Sequence, residues 1–358
     1  MRRFPVFATL VFIFLHPSQQ QQDSSRPNII LVITDQNHAV TFPADRRSEQ
    51  PTLAHFSSLS GPISFTSHHT ATSECSPSRA TILTGLYPSQ HGVRRTPGEL
   101  DPSLPNVLRT LSDAGYDTRW IGKWHLSNTT AGPERYGADR WDPPDAGTTL
   151  KVDDTLGGGG PDNDRRFVDD AVAFLRARAR AGARPFFLVV SLVNPHDVHA
   201  VARADFDRAG YDADAFVKYD GTPPPSYADD LRSKPRAVRT LSSHATFGNL
   251  TDPRAAAEYA KFYAYLRAVV DGHVGTVLAS VRAGAGRRDT AVLLTSDHGE
   301  MGLAFGLREK RAVAYDPAVR VPMVLRLPSS WWGDGRGPSL PPPATAVDVP
   351  TSHVDMFP

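Results

Sequence analysis

The sequence predicts an α/β sandwich, a mostly parallel central sheet covered by helices. Three observations carry this. Short, continuous, β-branched apolar runs recur along the chain, and such runs read as strands buried on both faces. Helical patterns with apolar residues at i, i+3 and i+4 lie between them, and alternating strands and helices build a parallel sheet. Three of the runs also end directly in Asp or His, and in open sheets of this kind ligands bind beyond the carboxyl ends of the strands. The 358 residues suffice for one large domain or two smaller ones, and 40% apolar with 22% charged residues is a soluble globular composition. A net charge of +1 without a basic block argues against a nucleic-acid partner.

The chain starts "MRRFPVFATLVFIFLHPSQQQQ": two arginines, an apolar run from Phe4 to Leu15, then a polar stretch. This is the layout of a secretory signal over residues 1–22, since the run is shorter than the ~20 residues a membrane span needs. A buried N-terminal strand or an uncleaved anchor are the alternatives. Asn128-Thr129-Thr130 and Asn249-Leu250-Thr251 are candidate glycosylation sites and agree with the secretory pathway, leading to secretion or to a lysosome-like compartment. The single cysteine, Cys75, cannot form an internal disulfide, so burial or chemistry must account for it.

The first strand run, "NIILVITDQ" (28–36), ends in Asp35 and Gln36. "LPNVLRTLSDAGY" (104–116) is a short helix ending near Gly115, and "YDTRWI" is a strand leading into "GKWHLS" (122–127). On an extended backbone Lys123 and His125 point to the same side. "DDTLGGGGPDNDRR" (153–166) reads as a flexible segment without the Lys-Ser/Thr ending of a phosphate loop. In the next helix Phe167, Val168, Ala171, Val172, Phe174 and Leu175 share a face. "PFFLVVSLVNPHD" (185–197) is a strand ending in His196 and Asp197. Residues 200–250 look like a polar insertion over the site. A long helix follows, with Tyr259, Phe262, Tyr263, Leu266, Val270, Val274 and Val277 on one face. "TAVLLTSDHGE" (290–300) ends in Asp297 and His298, and "RVPMVLRLP" (320–328) is the fourth run.

Asp35, His196, Asp297 and His298 could therefore meet at one edge of the sheet, and Asp35, Asp297 and His298 could bind a divalent cation. Carboxylates and the Gln36 amide oxygen suit Ca²⁺ or Mg²⁺, and a His nitrogen leans toward Mn²⁺ or Zn²⁺. Singly, each Asp could equally cap the turn after its strand. Lys123 and His125 could hold an oxyanion and protonate a leaving group, and Lys310 follows a similar logic. Arg79 stands four residues after Cys75. A thiolate phosphatase loop needs five residues between Cys and Arg, so that chemistry is disfavoured.

The run Cys75-Ser76-Pro77-Ser78-Arg79-Ala80-Thr81-Ile82-Leu83-Thr84-Gly85 resembles the signature of the sulfatase family, the formylglycine-dependent branch of the alkaline-phosphatase-like superfamily. "PNIILVITDQ", "GKWHL", "NPHDVH", "SDHGEMG" with the following "GLREKRAVAYDPAVRVPMV", and "SHVDMFP" match further family segments in order, from about residue 26 to 358. The resemblance implies that Cys75 is oxidised to formylglycine by a generating enzyme. A hydrated aldehyde has two hydroxyls on one carbon. One, activated by the metal, attacks sulfur and displaces the alcohol; the other loses its proton as sulfate is expelled and the aldehyde is restored. Arg79 would hold the nucleophile, Lys123 and Lys310 would bind sulfate oxygens, and His125 and His196 would assist the nucleophile or the leaving oxygen. Asp35, Gln36, residue 75, Asp297 and His298 would ligate one divalent cation, Ca²⁺ with Mg²⁺ or Mn²⁺ as alternatives. His91 reads as structural, and Glu300 as a support of the metal loop.

Three departures matter. Many relatives have a second Asp where Gln36 stands, and His298 replaces an Asn. This pair resembles a branch of choline-sulfatase-like and phosphonate-monoesterase-like enzymes. The family also has a smaller C-terminal subdomain, so residues 26–358 are expected to be a C-terminally truncated catalytic domain. The expected function is hydrolysis of sulfate esters of a small molecule or carbohydrate. A phosphonate or phosphate ester hydrolase on the same site, or an inactive secreted remnant, are the alternatives.

Overall fold

The structure, a computed structural model, describes residues 26–39, 55, 62–127, 131–147, 155–160, 162–178, 184–200, 209–241, 250, 252–283, 290–310, 313–328 and 345–357. The expected signal segment, Asn128 and Asn249 lie outside the described residues. Among the described residues no helix is long and apolar enough to cross a membrane.

The strands are β1 (Asn28–Asp35), β2 (Ile63–Phe65), β3 (His68–His69), β4 (Asp117–Gly122), β5 (Arg140–Asp142), β6 (Phe186–Pro195), β7 (Thr290–Ser296), β8 (Met323–Arg326), β9 (Ala346–Val347) and β10 (Thr351–Ser352). Eight form one sheet in the order β5-β4-β6-β1-β7-β8-β2-β9. The stretch from β5 to β7 is parallel. The fourth apolar run, β8, departs from this: it pairs antiparallel with both β7 and β2. A run buried on both sides does not report its direction, so pattern alone could not have shown this.

The four helices that cover or feed the site are α1 (Cys75–Thr84), α2 (Val107–Asp113), α3 (Asn163–Arg178) and α4 (Pro253–Ala283). Successive residues of β1 face opposite sides of the sheet. Ile30 and Val32 pack with Phe167, Leu175, Val270 and Val274 of α3 and α4. Ile29, Leu31 and Ile33 pack with Leu83 of α1 and Leu108 of α2. This two-sided covering is why the run is apolar throughout. At the start of α2 the Asn106 side chain accepts from the Arg109 N–H at 3.1 Å, and the chain turns beyond its end through Gly115 at φ +85°.

Two local expectations are corrected. Lys123 and His125 do not lie on an extended strand: β4 stops at Gly122, and His125 takes a left-handed φ of +60°. The glycine run, where described, is tied down rather than flexible. The Gly157 and Gly158 N–H groups donate to Asp197 Oδ2 at 2.9 and 3.1 Å, and a Cβ at Gly159 would stand 1.9 Å from the Ala209 carbonyl oxygen. The insertion after residue 208 also carries a core of its own, with Tyr211, Phe216 and Tyr219 packed among Phe262 and Leu266 of α4.

Candidate active site

The sheet delivers two carboxylates to one point. β1 and β7 are neighbours in register, Thr34 beside Ser296, so Asp35 and Asp297 emerge side by side, and the Asp297 N–H donates to the Thr34 carbonyl at 3.1 Å. β6 lies on the other side of β1 and pairs Pro195 with Asp35, which places His196 next along the same edge. Cys75 is the first residue of α1. Cys75 and Arg79 are four apart on that helix, hence on one face, which accounts for the three-residue spacing.

Ligand atoms of Asp35, Cys75, Asp297 and His298 all lie within 4.8 Å of one another, and all four residues are buried. Cys75 Sγ is 3.1 Å from His298 Nε2 and 4.0 Å from Asp35 Oδ1. His298 Nε2 is 3.5 Å from Asp35 Oδ1 and 3.6 Å from Asp297 Oδ1.

Three buried cations surround the cluster. Arg79 donates through Nε to Asp297 Oδ2 at 2.9 Å and through Nη2 to Asp35 Oδ2 at 3.0 Å. Its Nη1 donates to Ser191 Oγ at 2.8 Å and to the Lys123 carbonyl at 3.2 Å. Lys123 Nζ stands 2.6 Å from Asp35 Oδ2 and donates to the Gly147 carbonyl at 2.9 Å. Lys310 Nζ donates to Gln36 Oε1 and stands 3.3 Å from Glu309 Oε2. Lys123 and Lys310 are not extended into solvent, as surface lysines are, but enclosed.

The electrostatics follow from this placement. Burial works to raise the Asp35 carboxyl, but the Lys123, His196, Arg79 and His298 charges hold it well below the usual range. Burial, then Lys123 and Arg79, push His125 down, so its ring is neutral. His125 Nδ1 is buried without a hydrogen-bond partner among the described residues. Burial also works to lower His298, yet the negative field of Asp297 and Cys75 outweighs it and raises the ring to about 9. Two carboxylates and one imidazole meet at one buried point, and the Gln36 amide oxygen adds a further hard donor beside Asp35. The residues present therefore fit a divalent cation.

All ten residues singled out from the sequence lie among the described ones and are buried. Asp35, Cys75, Arg79, Lys123, Asp297 and His298 are joined by direct contacts, and Gln36 and Lys310 attach through the Gln36 backbone and side chain. His196 and His125 stand near enough to exert charge on, or feel it from, Asp35. His91 bonds Thr81 Oγ1 and the Val93 N–H, a packing role. Sequence reasoning missed Ser191, whose signal was one hydroxyl inside an otherwise apolar strand. It missed Asp145, which accepts from the Trp124 and His125 N–H groups at 2.8 and 3.0 Å and fixes the Lys–Trp–His loop. It also counted Tyr259 and Tyr263 as apolar, whereas their hydroxyls donate to Glu300 Oε1 and the Gln36 carbonyl, each at 2.8 Å.

Comparison with known proteins gives this arrangement a family. The sulfatase family pattern matches residues 27–358. The chain belongs to the sulfatase family. It is 29% identical over 363 residues to an uncharacterised sulfatase of Escherichia coli (strain K12), covering 93% of this chain and 67% of that one. It is 27% identical over 325 residues to an ulvan-active sulfatase of Formosa agariphila, covering 87% of this chain and 58% of that one. This sulfatase-family chain thus spans about three fifths to two thirds of the length of these relatives. Its fold matches the crystal structure of the phosphonate monoester hydrolase of Agrobacterium radiobacter with a TM-score of 0.65 at 22% identity, covering 93% of this chain and 72% of that one.

Proposed function

We infer that this sulfatase-family chain hydrolyses sulfate esters of a small molecule or carbohydrate at the cluster around Cys75. The observation that carries the reading is the convergence of Cys75 with Asp35, Asp297 and His298 under three buried cations, Arg79, Lys123 and Lys310. A sulfate ester is a tetrahedral anion, and buried ammonium groups stabilise the charge that develops on its oxygens far better than they would in water. Arg79 holds both carboxylates in place with two arms and anchors itself to β6 with the third. Neutral His125 has a ring nitrogen left to hold a proton at the leaving oxygen, or to take one.

Asp35, Gln36, Asp297 and His298, with residue 75, would hold one divalent cation, Ca²⁺ first and Mg²⁺ or Mn²⁺ as alternatives, supplying Lewis-acid activation at residue 75. Formylglycine at Cys75, installed by a generating enzyme, would supply the hydroxyl pair that a thiol lacks. Secretion with removal of residues 1–22, and glycosylation at Asn128 and Asn249, complete the reading.

The test is peptide mass spectrometry on residue 75 of secreted protein, with turnover of aryl sulfate measured against aryl phosphonate. Formylglycine and faster sulfate turnover are expected. Faster phosphonate turnover would replace the substrate class. Unmodified Cys75 with neither activity would reject the hydrolase reading.

A further inference from the structure

We propose that the Glu300 carboxylate is a positioning residue that sets which way the Gln36 amide faces, turning its oxygen toward the cation site. This rests on the cation of the proposed function.

The two ends of a Gln amide are alike in shape, so only neighbours decide which is oxygen. Here the neighbours leave one answer. Gln36 Oε1 faces Lys310 Nζ, and an ammonium can only donate, so that end is oxygen. The other end is then the amide nitrogen, Nε2, and it donates to Glu300 Oε2. Glu300 is itself pinned. Its Oε1 accepts from the Tyr259 hydroxyl at 2.8 Å, the Gly302 N–H at 3.1 Å and the Glu309 N–H at 2.7 Å. With Gln36 that makes four donors on one buried side chain, so its orientation is fixed.

The Gln36 backbone is fixed as well. Its N–H donates to Asp297 Oδ1 at 3.2 Å, its carbonyl accepts from the Tyr263 hydroxyl, and its φ is +69°, uncommon for a residue with a Cβ. Neither backbone nor side chain can turn without breaking a buried bond.

Residues 36 and 300 are therefore coupled. A carboxylate at 36 would face the Glu300 carboxylate with no proton donor between them. An amide at 300 would put an NH₂ against the Gln36 NH₂, because its oxygen is claimed by the Tyr259, Gly302 and Glu309 donors. Gln36 would then either keep two NH₂ groups face to face or flip and set its own nitrogen against Lys310 Nζ, and each outcome takes its oxygen out of a settled position at the cation site. Exchanging the two side chains, Q36E/E300Q, keeps the hydrogen bond with its direction reversed.

The experiment is calorimetric titration of Ca²⁺ into the metal-free full chain, for wild type, Gln36→Glu, Glu300→Gln and the double variant, with circular dichroism confirming each fold. We expect E300Q to bind about tenfold to a hundredfold more weakly, the usual scale for a residue that orients a ligand. The exchanged pair should bind at least as tightly as wild type, so that the two changes are strongly non-additive. Affinity of E300Q equal to wild type, or additive effects, would overturn the proposal. If wild type binds Ca²⁺, Mg²⁺ and Mn²⁺ not at all, the cation reading itself fails, which is a separate result. Should E300Q not fold, neutron diffraction from wild-type crystals decides. Deuterons on the atom facing Glu300 support the proposal, and deuterons on the atom facing Lys310 refute it.

Discussion

Cys75 Sγ lies 3.1 Å from His298 Nε2 although 223 residues separate them in the chain. One is the first residue of a helix and the other follows a central strand, so the contact exists only when α1 is seated against the edge of the sheet. Cys75→Ala removes the sulfur without touching that seating. We expect activity to fall to background with the melting temperature changed little, read by ester turnover beside thermal unfolding. Retained turnover would remove residue 75 from the chemistry.

Arg79 bridges the two carboxylates from a position that is 1% exposed. Truncating one member of a buried ionic network leaves the other uncompensated, so Arg79→Met should cost about 3–5 kcal/mol of stability. Urea unfolding in chelator checks this, and a loss within about 0.5 kcal/mol, the range of an ordinary surface substitution, would contradict it.

The Asp145 carboxylate caps the Trp124 and His125 N–H groups. Asp145→Ala leaves them without that acceptor, worth about 1–3 kcal/mol, and lets the loop carrying Lys123 and His125 relax. We expect kcat to fall more than tenfold with a modest stability loss, and Asp145→Asn, which keeps one oxygen, to recover part of it. Equal kcat in all three proteins would show that the loop holds itself.

His353 is buried against Ser78 Oγ at 3.2 Å, and burial pushes its ring down to about 3 from 6.5. The unfolded chain therefore binds more protons between these two values. Stability from this group is complete above pH 6.5 and is lost as pH falls from 6.5 toward 3. His353→Gln should flatten the acid side of the stability–pH curve. An unchanged slope between pH 6.5 and 4 would rule the group out as a contributor.

Two carboxylates meet beside Cys75, and a cation bound only by the folded chain stabilises it by mass action. At a hundredfold excess over its Kd this is worth about 2.7 kcal/mol. Chelator should lower the Tm, and Ca²⁺ should restore it. A Tm indifferent to both would argue against the cation.

Much of the fold was legible because burial on two faces leaves a one-dimensional trace. β1, β6 and β7 are continuous apolar runs, and the polar residues at or just past their ends, Asp35, His196, Asp297 and His298, marked the site edge in advance. The Cys75–Arg79 run was legible because it resembles a long family signature, while the helix that puts both residues on one face came only with the structure. Ser191 and Asp145 were not, since a single hydroxyl or carboxylate has no period and acquires meaning only from what it touches.

By itself, then, the sequence determined the strands β1, β4, β6, β7 and β8 and the helices α2, α3 and α4, because these depend on local pattern, and through the family resemblance it named ten candidate site residues. The tertiary structure decided what pattern cannot carry. It set the antiparallel direction of β8, the left-handed turn at His125, the anchoring of the glycine run on Asp197, and the clamp of Glu300, Tyr259 and Tyr263 on Gln36. Each is a relation between residues distant along the chain or a backbone angle imposed by packing, and neither has a signature until the chain is folded.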